Sequence, residues 1–216
     1  MPVDYTIARE KLYAAIIADI LDEMGFPGQV MDASIRPLQA EGLVVGRART
    51  VLAVPEFSIP ARPYDKQIEA TDALEPGDIM VAHMSQITAC AFWGELFSTA
   101  ALMRGAVGAV MDGYVRDVRR VTQMNFPVFA AGVRSTNSKG RATVAAYDVP
   151  IRCGGVLVHP HDVVFAEVDG VVVIPEKIAP EVMDRAIEAA SRENLVRSDL
   201  LAGSTMRAAW EAHHAL

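Results

Sequence analysis

Between Trp93 and Asp117 the chain reads WGELFSTAALMRGAVGAVMDGYVRD, and this stretch concentrates the residues that could do chemistry. Gly94 stands before a run of good helix formers. The unpaired N–H groups of Leu96 and Phe97 would therefore sit at the positive end of a helix dipole, where a carboxylate or phosphate can dock. Asp112-Gly113 reads as a turn after a short buried strand, and Arg116-Asp117 emerges just past it, at the carboxyl edge where α/β sheets carry ligand residues. Two β–α loops then face each other across a crevice holding Glu95, Arg116 and Asp117. Two carboxylates and a guanidinium suit a site that holds a divalent cation through oxygen ligands and several waters while the arginine grips an anionic substrate. The same residues also fit an ordinary charged surface cluster beside a Gly-rich turn.

Other polar residues carry weaker signals. His83, alone at the end of a strand, reads either as a polar contact for the crevice or as a structural histidine. His159 and His161 flank Pro160 without a third ligand nearby, so no zinc site is assigned there. Asp169-Gly170 reads as a hairpin turn. Cys90 and Cys153 match no metal-ligand spacing and are expected as buried free thiols of a reduced compartment.

The elements that must position the crevice follow from periodicity. Residues 8–24 place Leu12, Ile16, Ile17, Ile20, Leu21 and Met24 on one face, an amphipathic helix ended by Gly25. The β-branched run from Gly42 to Val54 predicts a strand interrupted at Gly46, and Phe57–Pro63 a loop. Then come a short strand at 79–83, a helix at 95–104 stopped by Gly105, a buried strand entering the turn at Asp112-Gly113, a two-turn helix at 117–123, and a strand from Pro127. This alternation predicts an α/β layer with parallel strands. Ile151–His159 and Val163–Ile174 read as hairpins, and from about residue 180 the pattern is helical, divided at Gly203-Ser204. A single domain over 1–216 is expected, with a β-rich layer against an α/β layer and a C-terminal helical segment.

Composition narrows the classes of function. With 216 residues and 51% apolar content the chain can bury a core without disulfides. A net charge of −7 argues against nucleic acid and anionic lipid as direct partners. The start, MPVDYTIARE, lacks the pattern of a secretory signal. The uncharged run from Ile79 to Gly94 is interrupted by His83, Ser85, Gln86 and Thr88 and is too short to span a membrane. A soluble, cytoplasmic protein is expected. No Gly-rich loop follows a first strand as a nucleotide-type cofactor site requires, which removes support for a methyltransferase.

The stretch from Trp93 to Asp117, together with FPVFAAGVRSTNSKGR, IRCGGVLVHPHDVVFAEVDGVVVIP and ENLVRSDLLAGS, resembles the 4-hydroxy-4-methyl-2-oxoglutarate / 4-carboxy-4-hydroxy-2-oxoadipate aldolases. That superfamily also holds the regulator of ribonuclease E activity A. The family pattern is Gly-Asp, twenty residues, then Arg-Asp. Here it stands as Gly94-Glu95, twenty residues, Arg116-Asp117, with the spacing kept and the first acid lengthened. The resemblance implies a swivelling β/β/α (RraA-like) fold assembled as homotrimers or homohexamers. It also implies a Mg2+- or Mn2+-dependent lyase that cleaves short 2-oxo acids, oxaloacetate among them, to pyruvate. By position, Asp117 becomes the metal's direct protein ligand and Arg116 the partner of the 2-oxo acid's carbonyl oxygen. The N–H groups of Leu96 and Phe97, following Gly94, receive the substrate carboxylate, and Glu95 orders a water of the metal's shell. Glu193 resembles an acid that reaches a neighbouring subunit's site, although its spacing equally suits an i,i+4 pair with Arg197. The regulator branch of the same superfamily implies the alternative, a non-catalytic interaction protein. In that branch the resemblance places Cys where this chain has Asp117.

Overall fold

The computed structural model describes residues 5–84 and 87–215. Met1–Asp4, Ser85, Gln86 and Leu216 lie outside it, and with them part of the N-terminal stretch read for a signal and two polar residues of the Ile79–Gly94 run. In chain order, helices α1 (Tyr5–Lys11) and α2 (Ala14–Glu23) precede strands β1 (Arg36–Pro37) and β2 (Val44–Pro55). Helix α3 (Asp65–Asp72) leads to β3 (Asp78–His83), β4 (Ala91–Trp93), α4 (Glu95–Met103), β5 (Gly108–Val115), α5 (Val118–Gln123) and β6 (Val128–Val133). Strands β7 (Ala142–Tyr147), β8 (Ile151–Cys153), β9 (Val156–Val158), β10 (Val163–Glu167) and β11 (Gly170–Ile174) follow. A 3-10 turn, Glu176–Ile178, then opens α6 (Ala179–Leu201), and α7 (Met206–His213) ends the chain's regular structure.

Nine strands form one mixed sheet in the order β1-β6-β5-β3-β2-β10-β11, with β4 added to β5 and β7 to β2; β8 and β9 pair separately. Strands β2, β3, β5 and β6 run parallel, and β4 joins β5 in the same sense, so their carboxyl ends share one edge. Strand alternation divides the apolar residues. Met80 and Ala82 of β3 pack with Met111, Phe92 and Trp93 under α3, α4 and α5, while Ile79 and Val81 pack with Val110, Phe129 and the β8–β9 hairpin. A third cluster seats Ile17, Leu21 and Met183 from α2 and α6 on Phe165 and Val172 of β10–β11. This is a single α/β domain with a mixed sheet and C-terminal helices, as the alternation of strands and helices predicts.

Three local expectations need correction. The helix expected over 8–24 is two helices, broken at Tyr13, whose backbone is extended (φ −144°, ψ 159°). The break has a partner far away in sequence: Ala14 N–H, opening α2, donates to Glu167 Oε1 at 2.7 Å. Such a cap leaves no local trace. Gly46 does not interrupt β2, which runs twelve residues. A Cβ there would sit 2.4 Å from the Gly77 carbonyl oxygen and 2.9 Å from Val107 Cγ2, so the glycine admits a close crossing. Asp112-Gly113 is not a turn but lies inside β5, at a shift of register against β6 between Met111 and Tyr114. Gly113 is required there because a Cβ would meet Met84 Cγ at 2.3 Å. The loop at 57–63, the two hairpins and the C-terminal helices occur where periodicity places them. Cys90 and Cys153 are free and buried, and burial pushes both thiols up.

Candidate functional site

At the carboxyl edge of the parallel strands, β4 ends in Trp93 and β5 in Val115, and the backbone N–H of Arg116 donates to the Trp93 carbonyl at 2.9 Å. This bond ties the two strand exits together. It places Gly94, which caps α4, against Arg116-Asp117, which lead into α5. The contact is close: a Cβ on Gly94 would lie 2.6 Å from Asp117 Oδ2 and 3.1 Å from Arg116 Cγ. Gly94 has extended backbone (φ −164°) that any residue can adopt, so proximity is what demands glycine here. Asp117 itself is left-handed (φ 59°, ψ 27°), a conformation in which Asp is among the more tolerated side chains.

The Asp117 carboxylate takes its place at the first turn of α4. Its Oδ2 accepts from Glu95 N–H at 3.3 Å and lies 3.6 Å from Arg116 Nε. Beside it the N–H groups of Leu96 and Phe97, first-turn amides that α4 cannot satisfy, carry the positive end of the helix dipole. Gly94, Leu96, Phe97, Arg116 and Asp117 all border one cleft of about 340 Å³, within the range of roughly 300–1,000 Å³ usual for small-molecule sites. Both charged side chains remain partly open to it, Arg116 at 38% and Asp117 at 41% exposure.

Two expected participants are placed elsewhere in the chain. The Glu95 carboxylate turns back along its own helix, where Thr99 Oγ1 donates to Oε1 at 3.2 Å, and it borders a separate hollow with Arg119, Arg120 and Met124. Glu193, on α6, accepts from the Tyr13 hydroxyl, while Arg197 donates to Asn194. The local i,i+4 alternative therefore gives way to a contact 180 residues apart. Burial first and this bond second push the Tyr13 hydroxyl up to about 12. His83 does not border the cleft. Its Nδ1 lies 2.6 Å from Asp112 Oδ2, and that carboxylate also takes the N–H groups of Met84 and Gly154.

The opposite wall of the cleft comes from residues that sequence reasoning passed over: Tyr64, Ile68 and Thr71 on and before α3, and Asn137 and Ser138 after β6. The inward face of α3 is Gln67, Ala70 and Thr71, polar or small, so no apolar periodicity marks it as packed. Gln67 is nevertheless buried because its Nε2 donates to the Phe92 carbonyl at 2.8 Å. The one local sign was Asp65 in the first turn of a run free of Gly and Pro.

Among the described residues no group of three or more His, Cys, Asp or Glu converges as a ready-made metal cage. The donor set still fits a hard cation of the Mg2+ type, which commonly binds through one or two carboxylates and keeps several waters. Asp117 is such a carboxylate, half-open and held in a cradle that a Cβ on Gly94 would fill.

Comparison with known proteins agrees with this architecture. Residues 14–173 match the RraA-like family, Aldolase/RraA. The chain is 30% identical over 198 residues to protein DlpA of Legionella pneumophila, covering 92% of this chain but only 32% of DlpA, so it spans about a third of that relative's length. It is 28% identical over 204 residues to a Halalkalibacterium halodurans protein named "Putative 4-hydroxy-4-methyl-2-oxoglutarate aldolase", covering 93% and 92% of the two chains. Among solved structures, Streptomyces coelicolor RraAS2, described as an unusual member of the RNase ES inhibitor RraA protein family, superposes with a TM-score of 0.81 at 26% identity, covering 90% of this chain and 96% of that one. With the family match extending over well more than half of its residues, the chain belongs to the RraA-like (aldolase/RraA) family.

Proposed function

We propose that the chain is a divalent-metal-dependent lyase that releases pyruvate from short 2-oxo acids, by retro-aldol cleavage and by decarboxylation of oxaloacetate. The observation that carries the reading is the Gly94 contact. It brings a carboxylate, a guanidinium and free helix-start amides to one cleft. Asp117 would hold the metal, Mg2+ or Mn2+, with waters completing its shell. When bound, the metal supplies Lewis-acid stabilisation of the oxygen charge that develops as the C3–C4 bond breaks.

The chain's own residues do the rest. The amides of Leu96 and Phe97 receive the C1 carboxylate of the substrate, and Arg116 donates to its C2 carbonyl oxygen, where negative charge accumulates. In retro-aldol cleavage the C4 hydroxyl loses its proton, the C3–C4 electron pair passes to C3, and the resulting pyruvate enolate is protonated there. A water ordered by Glu95 is the proton carrier, which requires the Glu95 carboxylate to leave Thr99. Decarboxylation of oxaloacetate reaches the same enolate by expelling carbon dioxide, so one site serves both reactions. Assembly as a trimer or hexamer belongs to this proposal, with Glu193 of one subunit completing a neighbour's cleft.

The test is pyruvate release from oxaloacetate and from 4-hydroxy-4-methyl-2-oxoglutarate with Mg2+, with Mn2+ and with a chelator. Metal-dependent turnover supports the reading. Turnover of neither substrate would favour the second reading, a non-catalytic interaction protein on the same scaffold, to which the likeness to RraAS2 lends weight. Asp117, a carboxylate open to the cleft, supports putting the enzyme reading ahead of it.

A further inference from the structure

The cleft has a one-sided distribution of charge. Among the described residues that border it, Arg116 is the single cation, accompanied by the carboxylates of Asp117 and Asp72. Away from these charges most of the wall is apolar, with Ile68, Phe97 and Ala100 among its residues, and the polar residues that border it, Tyr64, Thr71, Asn137 and Ser138, are uncharged. The Trp93 and Phe97 rings stand 5.5 Å apart, and the one polar atom of the indole is already spent, since Nε1 donates to Ser98 Oγ at 2.8 Å. Trp93 is buried behind the wall and brings no free polar side-chain atom to it.

Other cations nearby do not border the cleft. Arg104 pairs with Asp72 at 2.8 Å and does not border the cleft. Lys139 and Arg141 line a separate hollow beyond Asn137, and the Arg141 guanidinium is occupied by the carbonyls of Asn137 and Lys139. A 2-oxo acid uses Arg116 and the amides of Leu96 and Phe97 for its own carboxylate and carbonyl. A second carboxylate on the same substrate would find no further cation among the described residues that border the cleft, only apolar wall and uncharged polar groups, and would lose water without gaining a counter-charge.

We infer that the group accepted beyond the pyruvate unit is apolar: the favoured substrates are 4-hydroxy-2-oxo acids whose C4 carries an alkyl or aryl group in place of a second carboxylate. This rests on the lyase reading above and narrows it. For 4-hydroxy-2-oxo-4-phenylbutanoate the C4 hydroxyl gives up its proton and its oxygen becomes the carbonyl of benzaldehyde. The C3–C4 pair moves to C3, and a proton taken up there completes pyruvate. No redox partner is needed.

Two measurements test it with the Mn2+-loaded protein. In the first, kcat/KM for pyruvate release is compared between 4-hydroxy-2-oxo-4-phenylbutanoate and 4-hydroxy-4-methyl-2-oxoglutarate, with oxaloacetate turnover checking the lyase reading separately. The aryl substrate is expected to lead by on the order of 10–100-fold, the scale of discrimination that one pocket contact supplies. In the second, calorimetry compares phenylpyruvate with 2-oxoglutarate, neither of which can be cleaved, so that binding is read without catalysis; phenylpyruvate should bind tighter. Ile68→Lys, placing a cation on the apolar wall, should move both ratios toward the dicarboxylate by about tenfold or more. Lys139→Ala should leave both ratios where they are. A dicarboxylate preferred in both measurements overturns the inference, as does a preference that Lys139→Ala abolishes. Oxaloacetate inert with every metal while phenylpyruvate still binds preferentially would instead remove the lyase reading and keep the cleft's selectivity for apolar 2-oxo acids.

Discussion

Replacing Gly94 with alanine tests the geometry from which the site is built. The added Cβ would lie 2.6 Å from Asp117 Oδ2, where ordinary contact begins at 3.4 Å, so the carboxylate must retreat by roughly 0.8 Å. Arg116 must move as well, because its Cγ would be 3.1 Å and its Nε 3.4 Å from the new atom. Both side chains are partly open and free to swing, and the extended backbone of Gly94 accepts alanine. The fold should therefore lose little. Strain at the contact is offset by about 0.4–1 kcal/mol from the less flexible unfolded chain, and the melting temperature should move by only a few degrees. Function is another matter, since a displacement near 1 Å in a reacting constellation can cost about 10²-fold. The assay is metal-dependent pyruvate release from oxaloacetate, alongside Mn2+ calorimetry and thermal unfolding. Gly46→Ala is the control: its Cβ would press on the Gly77 carbonyl at 2.4 Å inside the sheet, which should cost about 1–3 kcal/mol of stability. Wild-type turnover and Mn2+ affinity in Gly94→Ala would refute the argument that this glycine exists to admit Asp117.

Other outcomes follow from the same geometry. Glu95→Gln keeps the size and hydrogen bonding of the side chain but removes the charge that orders a water, so aldol cleavage should fall by about 10²- to 10⁴-fold. Oxaloacetate decarboxylation, with no C4 hydroxyl to deprotonate, should fall less; equal losses in steady-state assays of both reactions would show the role to be wrong. The Tyr13 hydroxyl, raised from its ordinary 10 to about 12 in the folded chain, contributes stability that is whole below pH 10 and is lost as the pH rises through about 12. Urea unfolding across that window should show the decline in the wild type and flatten it in Tyr13→Phe. Light scattering at micromolar concentration should give a trimer or hexamer, and a monomer mass would remove the proposed role of Glu193 in a neighbour's cleft.

How far the molecule could be read from its sequence depends on the range of the interactions. The parallel α/β core was legible because β3, β5 and β6 are short apolar runs separated by turn formers, and α4 follows Gly94 with good helix formers throughout. The cleft's charged side was legible too, since Gly94 and Arg116-Asp117 sit at strand exits. What failed was anything decided by a distant partner. The break at Tyr13 depends on Glu167, the place of Gly46 on the Gly77 carbonyl, and the partner of Glu193 on a tyrosine at the other end of the chain. Helix α3 escaped because its buried face is Gln67, Ala70 and Thr71, whose burial is made tolerable by specific hydrogen bonds. With α3 went Ile68 and Thr71, two of the residues that border the cleft.

The central claim, that Asp117 makes this cleft a metal-dependent lyase site, is tested most directly by titrating Mn2+ into wild type and Asp117→Ala while pyruvate formation from oxaloacetate is followed. The account predicts saturable activation of the wild type, reversed by chelator. It predicts loss of both Mn2+ binding and turnover in a variant that stays folded, because 41% exposure of the Asp117 side chain means that little packing is removed. Undiminished Mn2+-dependent turnover in Asp117→Ala, or wild-type turnover indifferent to chelator, would contradict it.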